Sequence, residues 1–283
     1  MTEEELVRFM NSEAGGKNLL YLNYFKQIND NTLTSDGSVT AQEYKGQWRQ
    51  DDPLVWEGFG TLKFSDGSMF QGQTKNKQYN GKGRMTHVNG DIYQGEWRDG
   101  KANGFGIFVD TNGSMYEGEW LDDQQHGYGT ESWNFGKIKY TGDFIEGKKS
   151  GSGRFEFDGG FYEGQFVDGK FHGIGKYYFA DTGKMYEGEF VDNNMEGKGI
   201  MVWPDQSTYE GQFKGGKMEG RGGIKLFANG NRYIGDFKND HMHGTGVWYD
   251  IKAQTKRQGE WKDGKRINWL RDAQQTHVTM MSE

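Results

Sequence analysis

A five-residue pattern, aromatic-x-Gly-(Glu/Gln/Asp)-aromatic, recurs along most of this 283-residue chain. It opens at Tyr44, Phe70, Tyr93, Tyr116, Tyr140, Tyr162, Tyr186, Tyr209 and Tyr233, with a degenerate tenth start at Arg257. Nine steps span 213 residues, a mean period of about 23.7. A fixed period in this range marks a repeat architecture whose units bury their apolar faces only by stacking on their neighbours. The third position is Gly in every unit, among them Gly95, Gly118, Gly142, Gly164, Gly188, Gly211 and Gly235. The fifth is Trp or Phe in nine units; Thr74 is the exception. Eleven residues after each opening aromatic comes a Gly-x-Gly pair, as in Gly104-Phe105-Gly106 and Gly173-Ile174-Gly175. In the first unit Gly58-Phe59-Gly60 arrives three residues late, and Asp51-Asp52-Pro53 reads as the insertion.

Each unit reads as a β-hairpin followed by a turn. In Tyr93-Gln94-Gly95-Glu96-Trp97 the strand period of two places Tyr, Gly and Trp on one face and the amide and acid on the other. Asp99-Gly100, Asp168-Gly169 and Asp263-Gly264 supply the positive-φ residues of a tight hairpin turn. A second strand is expected to begin at Gly-x-Gly. Counting on by twos from that pair reaches Leu62, Met85, Phe108, Glu131, Phe155, Tyr177, Met201, Ile224 and Trp248, apolar in eight of nine units. Asn89-Gly90, Asn112-Gly113 and Asn229-Gly230 lead into the next hairpin. The 46 glycines and a 15% aromatic share follow from this pattern. With only ten leucines, rings must supply most of the buried area. A lone hairpin is marginal in water, so the pattern implies edge-to-edge stacking with the rings of adjacent units lying over the glycines. The expected fold is all-β: an elongated single-layer antiparallel sheet of nine to ten hairpins over residues 44–267. An N-terminal helix and cap segment (1–43) and a polar C-terminal tail (268–283) flank it.

Units such as Tyr116-Glu117-Gly118-Glu119-Trp120 with Gly127-Tyr128-Gly129, and Tyr186-Glu187-Gly188-Glu189-Phe190 with Gly197-Lys198-Gly199, resemble the MORN (membrane occupation and recognition nexus) family. That resemblance covers roughly residues 44–267. MORN arrays occur in junctophilins, plant phosphatidylinositol phosphate kinases, a lysine methyltransferase, parasite cytoskeletal proteins and radial spoke heads. About 16 residues follow the last recognisable unit, too few for a catalytic domain. The resemblance therefore implies the stand-alone form: a non-enzymatic scaffold of a cytoskeletal assembly, similar to radial spoke head members, in the cytoplasm and in the axoneme of a cilium or flagellum. Its expected partners are other proteins of such a complex, and self-association into a homo-oligomer is left open. The alternative is a peripheral adaptor that binds acidic phospholipid through Lys148-Lys149 and the Lys262–Arg266 segment.

The chemistry-bearing patterns point elsewhere than catalysis. There is no cysteine, which removes disulfide frameworks, thiolate metal sites and cysteine nucleophiles. No Rossmann, P-loop or nucleophile-elbow spacing occurs, so neither a cofactor nor a metal is expected. His126, His172 and His243 fall at one repeat position, just before Gly-x-Gly, and read as a polar surface column rather than as ligands. Asp122-Asp123 reads as a hairpin turn. A net charge of −7 disfavours nucleic acid and anionic lipid as partners of the whole surface. Residues 1–60 carry five basic and ten acidic side chains, whereas 252–271 carry seven and two. Thr2 to Glu5 forms a capping box before Leu6, Val7, Phe9 and Met10, predicting a helix over 2–13. The apolar stretch Leu19 to Phe25 reads as a cap over the first strand or as an anchor for a neighbour. Finally, Trp97, Trp120, Phe144, Phe166, Phe190, Phe213 and Phe237 form a column with no second sheet to cover it. Part of each ring is expected to stay accessible as a shallow partner-binding groove.

Overall fold

The computed structural model describes residues 41–52 and 54–270, so the expected N-terminal helix, the cap and the tail from 271 onward lie outside the described residues. The described chain divides into two compact units, with the boundary in sequence between Lys101 and Ala102. The first is one open antiparallel sheet of β1 (Ala41–Trp48), β2 (Trp56–Phe64), β3 (Met69–Lys75), β4 (Gln78–Thr86) and β5 (Ile92–Arg98), each strand paired with the next. In the second, β6 (Lys101–Val109) is followed by β7 (Met115–Leu121), β8 (Gln124–Trp133), β9 (Ile138–Ile145), β10 (Lys148–Phe157), β11 (Gly160–Val167) and β12 (Lys170–Phe179). It continues through β13 (Lys184–Val191), β14 (Asn194–Val202), β15 (Thr208–Lys214), β16 (Lys217–Leu226), β17 (Arg232–Lys238), β18 (His241–Asp250), β19 (Thr255–Lys262) and β20 (Lys265–Trp269). These fifteen also pair in sequence order, antiparallel throughout. Among the described residues there is no helix.

The turns follow from their residues. Asp99 (φ 49°) with Gly100 (φ 84°), and Asp168 (φ 49°) with Gly169 (φ 78°), adopt two consecutive left-handed conformations, which match the twist of the flanking strands. Asp122 and Asp123 do the same without glycine. The second turn residue donates its N–H to the hairpin before it, as Gly169 does to the Lys149 carbonyl at 2.9 Å and Gly264 to that of Met242 at 2.9 Å. In the first unit, Arg49 donates its N–H to the Val55 carbonyl at 2.8 Å, closing the longer connection that the late Gly58-Phe59-Gly60 predicts.

The second strand of each hairpin does not begin at Gly-x-Gly. It starts three residues earlier in all but the first, at Lys170 rather than Gly173 in β12, because the positive-φ turn already returns the chain to strand geometry. Gly-x-Gly instead houses a β-bulge. Gly164 faces Gly175 while Gln165 faces His172, which leaves Gly173 and Ile174 unmatched. Gly173 takes φ 56°, a conformation Gly adopts without a Cβ penalty. The bulge orphans the Ile174 N–H, and the Gln165 side chain accepts it at 3.0 Å. Asp143 does the same for Ser152 at 2.9 Å and Glu189 for Lys198 at 2.9 Å. The acid or amide at the fourth motif position is thus a bulge cap.

The last Gly of Gly-x-Gly and the motif Gly lie side by side, so unbroken rows of glycine cross the strands, as in Gly129–Gly142–Gly153–Gly164–Gly175–Gly188–Gly199. The tyrosine that opens each unit folds back over this row on the inner face. Its hydroxyl donates to the carbonyl three residues on: Tyr116 to Glu119 at 2.9 Å, Tyr162 to Gln165 at 2.8 Å and Tyr209 to Gln212 at 3.0 Å. A Cβ on Gly118 would stand 2.6 Å from the Gly129 Cα and 2.6 Å from the Tyr116 hydroxyl, closer than atoms pack. The covering ring belongs to the same unit as the glycine, not to an adjacent unit as the pattern had implied, because the tyrosine folds back along its own hairpin. Gly118→Val and Gly188→Val should therefore each cost at least about 1–3 kcal/mol from overpacking. Thermal melting of both variants checks this, and melting unchanged from wild type would contradict the packing described.

Candidate partner-binding surfaces

Two faces of the sheet are available to a partner. On the inner face, the fifth-position rings slot edge-on between tyrosines. Phe166 meets Tyr162 of its own unit at 5.2 Å and Tyr140 of the unit before at 4.9 Å, and Phe190 meets Tyr186 at 5.1 Å and Tyr162 at 5.0 Å. The pattern runs on through Phe213 and Phe237 to Trp261. Such edge-to-face pairs contribute about 0.5–1.5 kcal/mol each beyond their burial. In the first unit of the fold Trp97 packs on Tyr93 at 4.9 Å and donates its indole N–H to the Gly83 carbonyl at 3.1 Å. Trp120 does likewise with Tyr116 and Gly106.

The expectation that part of each of these rings stays accessible fails for six of the seven. Phe144, Phe166, Phe190, Phe213 and Phe237 are 1–4% exposed and Trp97 is 8% exposed; Trp120 is half-buried. A single layer still buries its central column, because each ring is flanked by two tyrosines within the layer itself. Of the glycines singled out from sequence, Gly118, Gly142, Gly164, Gly188, Gly211 and Gly235 lie beneath the tyrosines that open their units. What the inner face leaves half-exposed is a row on either side of the column. Phe171, Met195, Met218 and Met242 lie toward the Asp-Gly turns, and Trp133, Phe155, Tyr177, Trp203 and Trp248 toward the opposite ends.

Charged residues interrupt the inner face, Glu131, Lys149 and Lys225 among them. Glu131, the one polar residue in its expected row, stands opposite Tyr116 and Tyr140 and pairs with Lys149 at 2.7 Å. The Lys149 ammonium also lies 4.6 Å from the Trp133 ring centre. The period of two places Ile224, not Lys225, on this face. The bulge of β16 holds one more residue than the others: Gly223, not Gly222, meets Gly235, and Gly222 takes φ 72°. The extra residue flips everything after it by one position. Ile224 turns to the outer face opposite Glu210, and Lys225 comes opposite Tyr209 and Tyr233. There its ammonium sits 3.0 Å from the Trp203 ring centre. Burial pushes it down to about 8, against the opposing pull of Asp205.

On the outer face, Lys148 pairs with Asp168 at 2.9 Å, so both members of the Lys148-Lys149 dipeptide are engaged within the sheet. Phe105, Tyr128 and Ile174, the middle residues of their Gly-x-Gly bulges, are 50–60% exposed. His126, His172 and His243 precede their bulges, and their carbonyls receive a second contact from the covering tyrosine hydroxyl at 3.4, 3.1 and 3.3 Å. Among the described residues, no group of three or more His, Asp or Glu is placed to hold a metal ion, and no helix is long and apolar enough to cross a membrane.

The family model of the MORN repeat matches residues 55–69, 70–92, 93–115, 116–134, 140–160, 162–184, 186–208, 209–232, 233–250 and 258–266, more than half of the chain. No curated protein sequence matches the chain. Among solved structures it is similar to the wild-type TCP10 domain of Danio rerio CPAP, at 11% identity over 69% of this chain and 89% of that one, with a TM-score of 0.37. It is also similar to the SAS-4 (dCPAP) TCP domain of Drosophila melanogaster in complex with a proline-rich motif of Ana2 (dSTIL), at 12% identity over 68% and 90%, with a TM-score of 0.27.

The titrations have definite signs. Lys225 keeps its proton to about 8 when folded and to about 10.4 when unfolded. Between those values the unfolded chain binds more protons, so stability rises with pH. Lys225→Met should be the more stable protein at pH 7, by on the order of 1 kcal/mol after allowing for partial exposure, and the gap should close toward pH 9.5. The buried tyrosines act the other way: burial pushes Tyr162 and Tyr209 up to about 12. Stability is then full below the unfolded value of about 10 and is lost as pH rises from there. Denaturant unfolding across pH 7–11 for both proteins reads both effects, and a gap independent of pH would contradict the placement of Lys225.

Proposed function

The chain belongs to the MORN-repeat family, and from that premise we propose that it is a non-enzymatic scaffold holding protein partners together in a large cytoskeletal assembly. As that assembly we propose the axoneme of a cilium or flagellum, on the resemblance to stand-alone radial spoke head members. The observation that carries the scaffold reading is a division of labour between positions. Tyr116, Tyr140, Tyr162, Tyr186, Tyr209 and Tyr233 are at most 1% exposed and build the same packing in every unit. The bulge residue displayed outward from each of those units differs: Tyr128, Ser152, Ile174, Lys198, Arg221, Thr245. One frame thus presents a different side chain at each step of about 10 Å, two strands at ~4.8 Å. A surface of this kind suits several extended contacts rather than one enclosed small molecule.

The phospholipid-adaptor reading draws less support. Of its two basic stretches, Lys148-Lys149 is tied up in ion pairs with Asp168 and Glu131. Vesicles containing phosphoinositide at physiological salt should leave most of the protein in the supernatant. Salt-sensitive pelleting that disappears when Lys262, Lys265 and Arg266 are replaced would favour the adaptor instead. Affinity purification with mass spectrometry from ciliated cells tests the scaffold reading directly. It should recover axonemal structural proteins, and recovery of membrane-trafficking proteins alone would count against it.

A further inference from the structure

Immediately before each two-residue turn, one cross-strand pair closes the hairpin on the outer face. Across β7 to β14 the first member of that pair is Leu121, Ile145, Val167 or Val191, each 44–53% exposed. Its lysine partners are neutralised, Lys148 by Asp168 at 2.9 Å and Lys170 by Asp192 at 3.3 Å. Across β15 to β20 the closing pairs become Lys214/Lys217, Lys238/His241 and Lys262/Lys265. Among the described residues, none of these five lysines forms an ion pair. Nearby carboxylates are used elsewhere: Glu196 accepts the Gly215 N–H at 2.7 Å, Glu219 that of Asn239 at 2.9 Å and Asp240 that of Met218 at 2.8 Å.

Like charges placed directly opposite in an antiparallel pair are destabilising. Two such pairs in three successive hairpins, with no neutralising partner, are better explained by a ligand than by the sheet's own stability. The width of the basic strip narrows the choice of ligand. Two residues farther along the same strands, the outer face carries Asp236, Glu260 and Glu219. An anionic membrane plane or a duplex would meet those carboxylates as well as the lysines. A single extended chain running across the strand ends would meet the lysines alone. Successive closing pairs are two strands apart, about 10 Å, close to one three-residue turn of an extended polyproline II chain at ~3.1 Å per residue, which brings every third side chain to the same side.

We propose that this turn-side rim binds one extended segment of a partner protein. That segment carries a carboxylate at every third residue over the basic half and an aliphatic side chain at every third residue over the apolar half. The inference rests on the scaffold reading and specifies the partner's chemistry. The test uses the full chain and fluorescent peptides of three Glu-Ser-Ser triplets joined to four Leu-Ser-Ser triplets, in both orders, read by anisotropy at physiological salt. One order should bind saturably, and K214E/K238E/K262E should weaken it at least about ten-fold, as three lost surface charge pairs imply. V167S/V191S should weaken it several-fold, while the charge-matched K75E/K82E/K101E should leave it within about two-fold. Equal loss in both lysine triples, or no saturable binding in either order, would overturn the proposal. So would binding to phosphoinositide vesicles, lost in K214E/K238E/K262E, by a protein that ignores both peptides. Partners recovered from cells separate the two readings. Equal recovery by wild type and K214E/K238E/K262E would sink the rim and leave the scaffold standing. Peptide binding without any recovered partner would uphold the rim and count against the scaffold.

Discussion

A tyrosine ring lying flat over two adjacent glycines is the contact on which each unit of this sheet depends. It explains why the third motif position and the last residue of Gly-x-Gly must both lack a side chain, since a Cβ on Gly175 would stand 2.5 Å from atoms of the Tyr162 ring. It also explains how a chain with ten leucines holds together. Each ring that covers its own glycines also offers its face to the edge of the next unit's aromatic, so Tyr140, Phe166, Tyr162 and Phe190 form one continuous run of contacts. The hydroxyl, donated to a carbonyl in the same unit, satisfies the polar atom that each covering tyrosine buries.

The exceptions show how far the arrangement bends. Phe70 covers Gly72 and Gly83 without a hydroxyl, and Tyr79 stacks on it at 4.0 Å. Thr74, where other units have a ring, is 4% exposed and donates its hydroxyl to the Gly58 carbonyl at 3.1 Å. The last unit opens with Arg257 instead of an aromatic, and there Trp269 of β20 takes the place opposite Gly259. Arg266 lies 4.3 Å and Arg257 5.5 Å from its ring centre. A bulky ring where a further unit would need glycine, together with Lys265 and Arg266 on the same strand, marks β20 as a strand unsuited to another hairpin.

Much of this was legible in the sequence because the signals were local and repeated. The period, the strand alternation and the Asp-Gly turns all rest on residue spacing within one unit. What stayed illegible depended on neighbours. The burial of Phe144, Phe166 and Phe190 comes from tyrosines about two dozen residues away in sequence. The placement of Lys225 turns on one extra residue in a bulge, which Gly220-Arg221-Gly222-Gly223 announces only to a reader who already knows that the bulge exists. In sequence, Lys262 and Lys265 are visible as part of the basic balance of 252–271. Their meaning emerges from register, which sets Lys214 against Lys217 well outside that window.

The central claim, that the tyrosine ring excludes a side chain from the last glycine of Gly-x-Gly, is tested most directly by a double-mutant cycle at Tyr162 and Gly175. The three atoms nearest to a Cβ on Gly175 all belong to the Tyr162 ring. Denaturant unfolding would be measured for wild type, Gly175→Ala, Tyr162→Leu and the double variant. If the ring is the obstacle, the penalty of Gly175→Ala should fall by more than half once the ring is gone, a coupling of at least about 1 kcal/mol. Strictly additive penalties would contradict the account and assign the glycine requirement to the backbone alone.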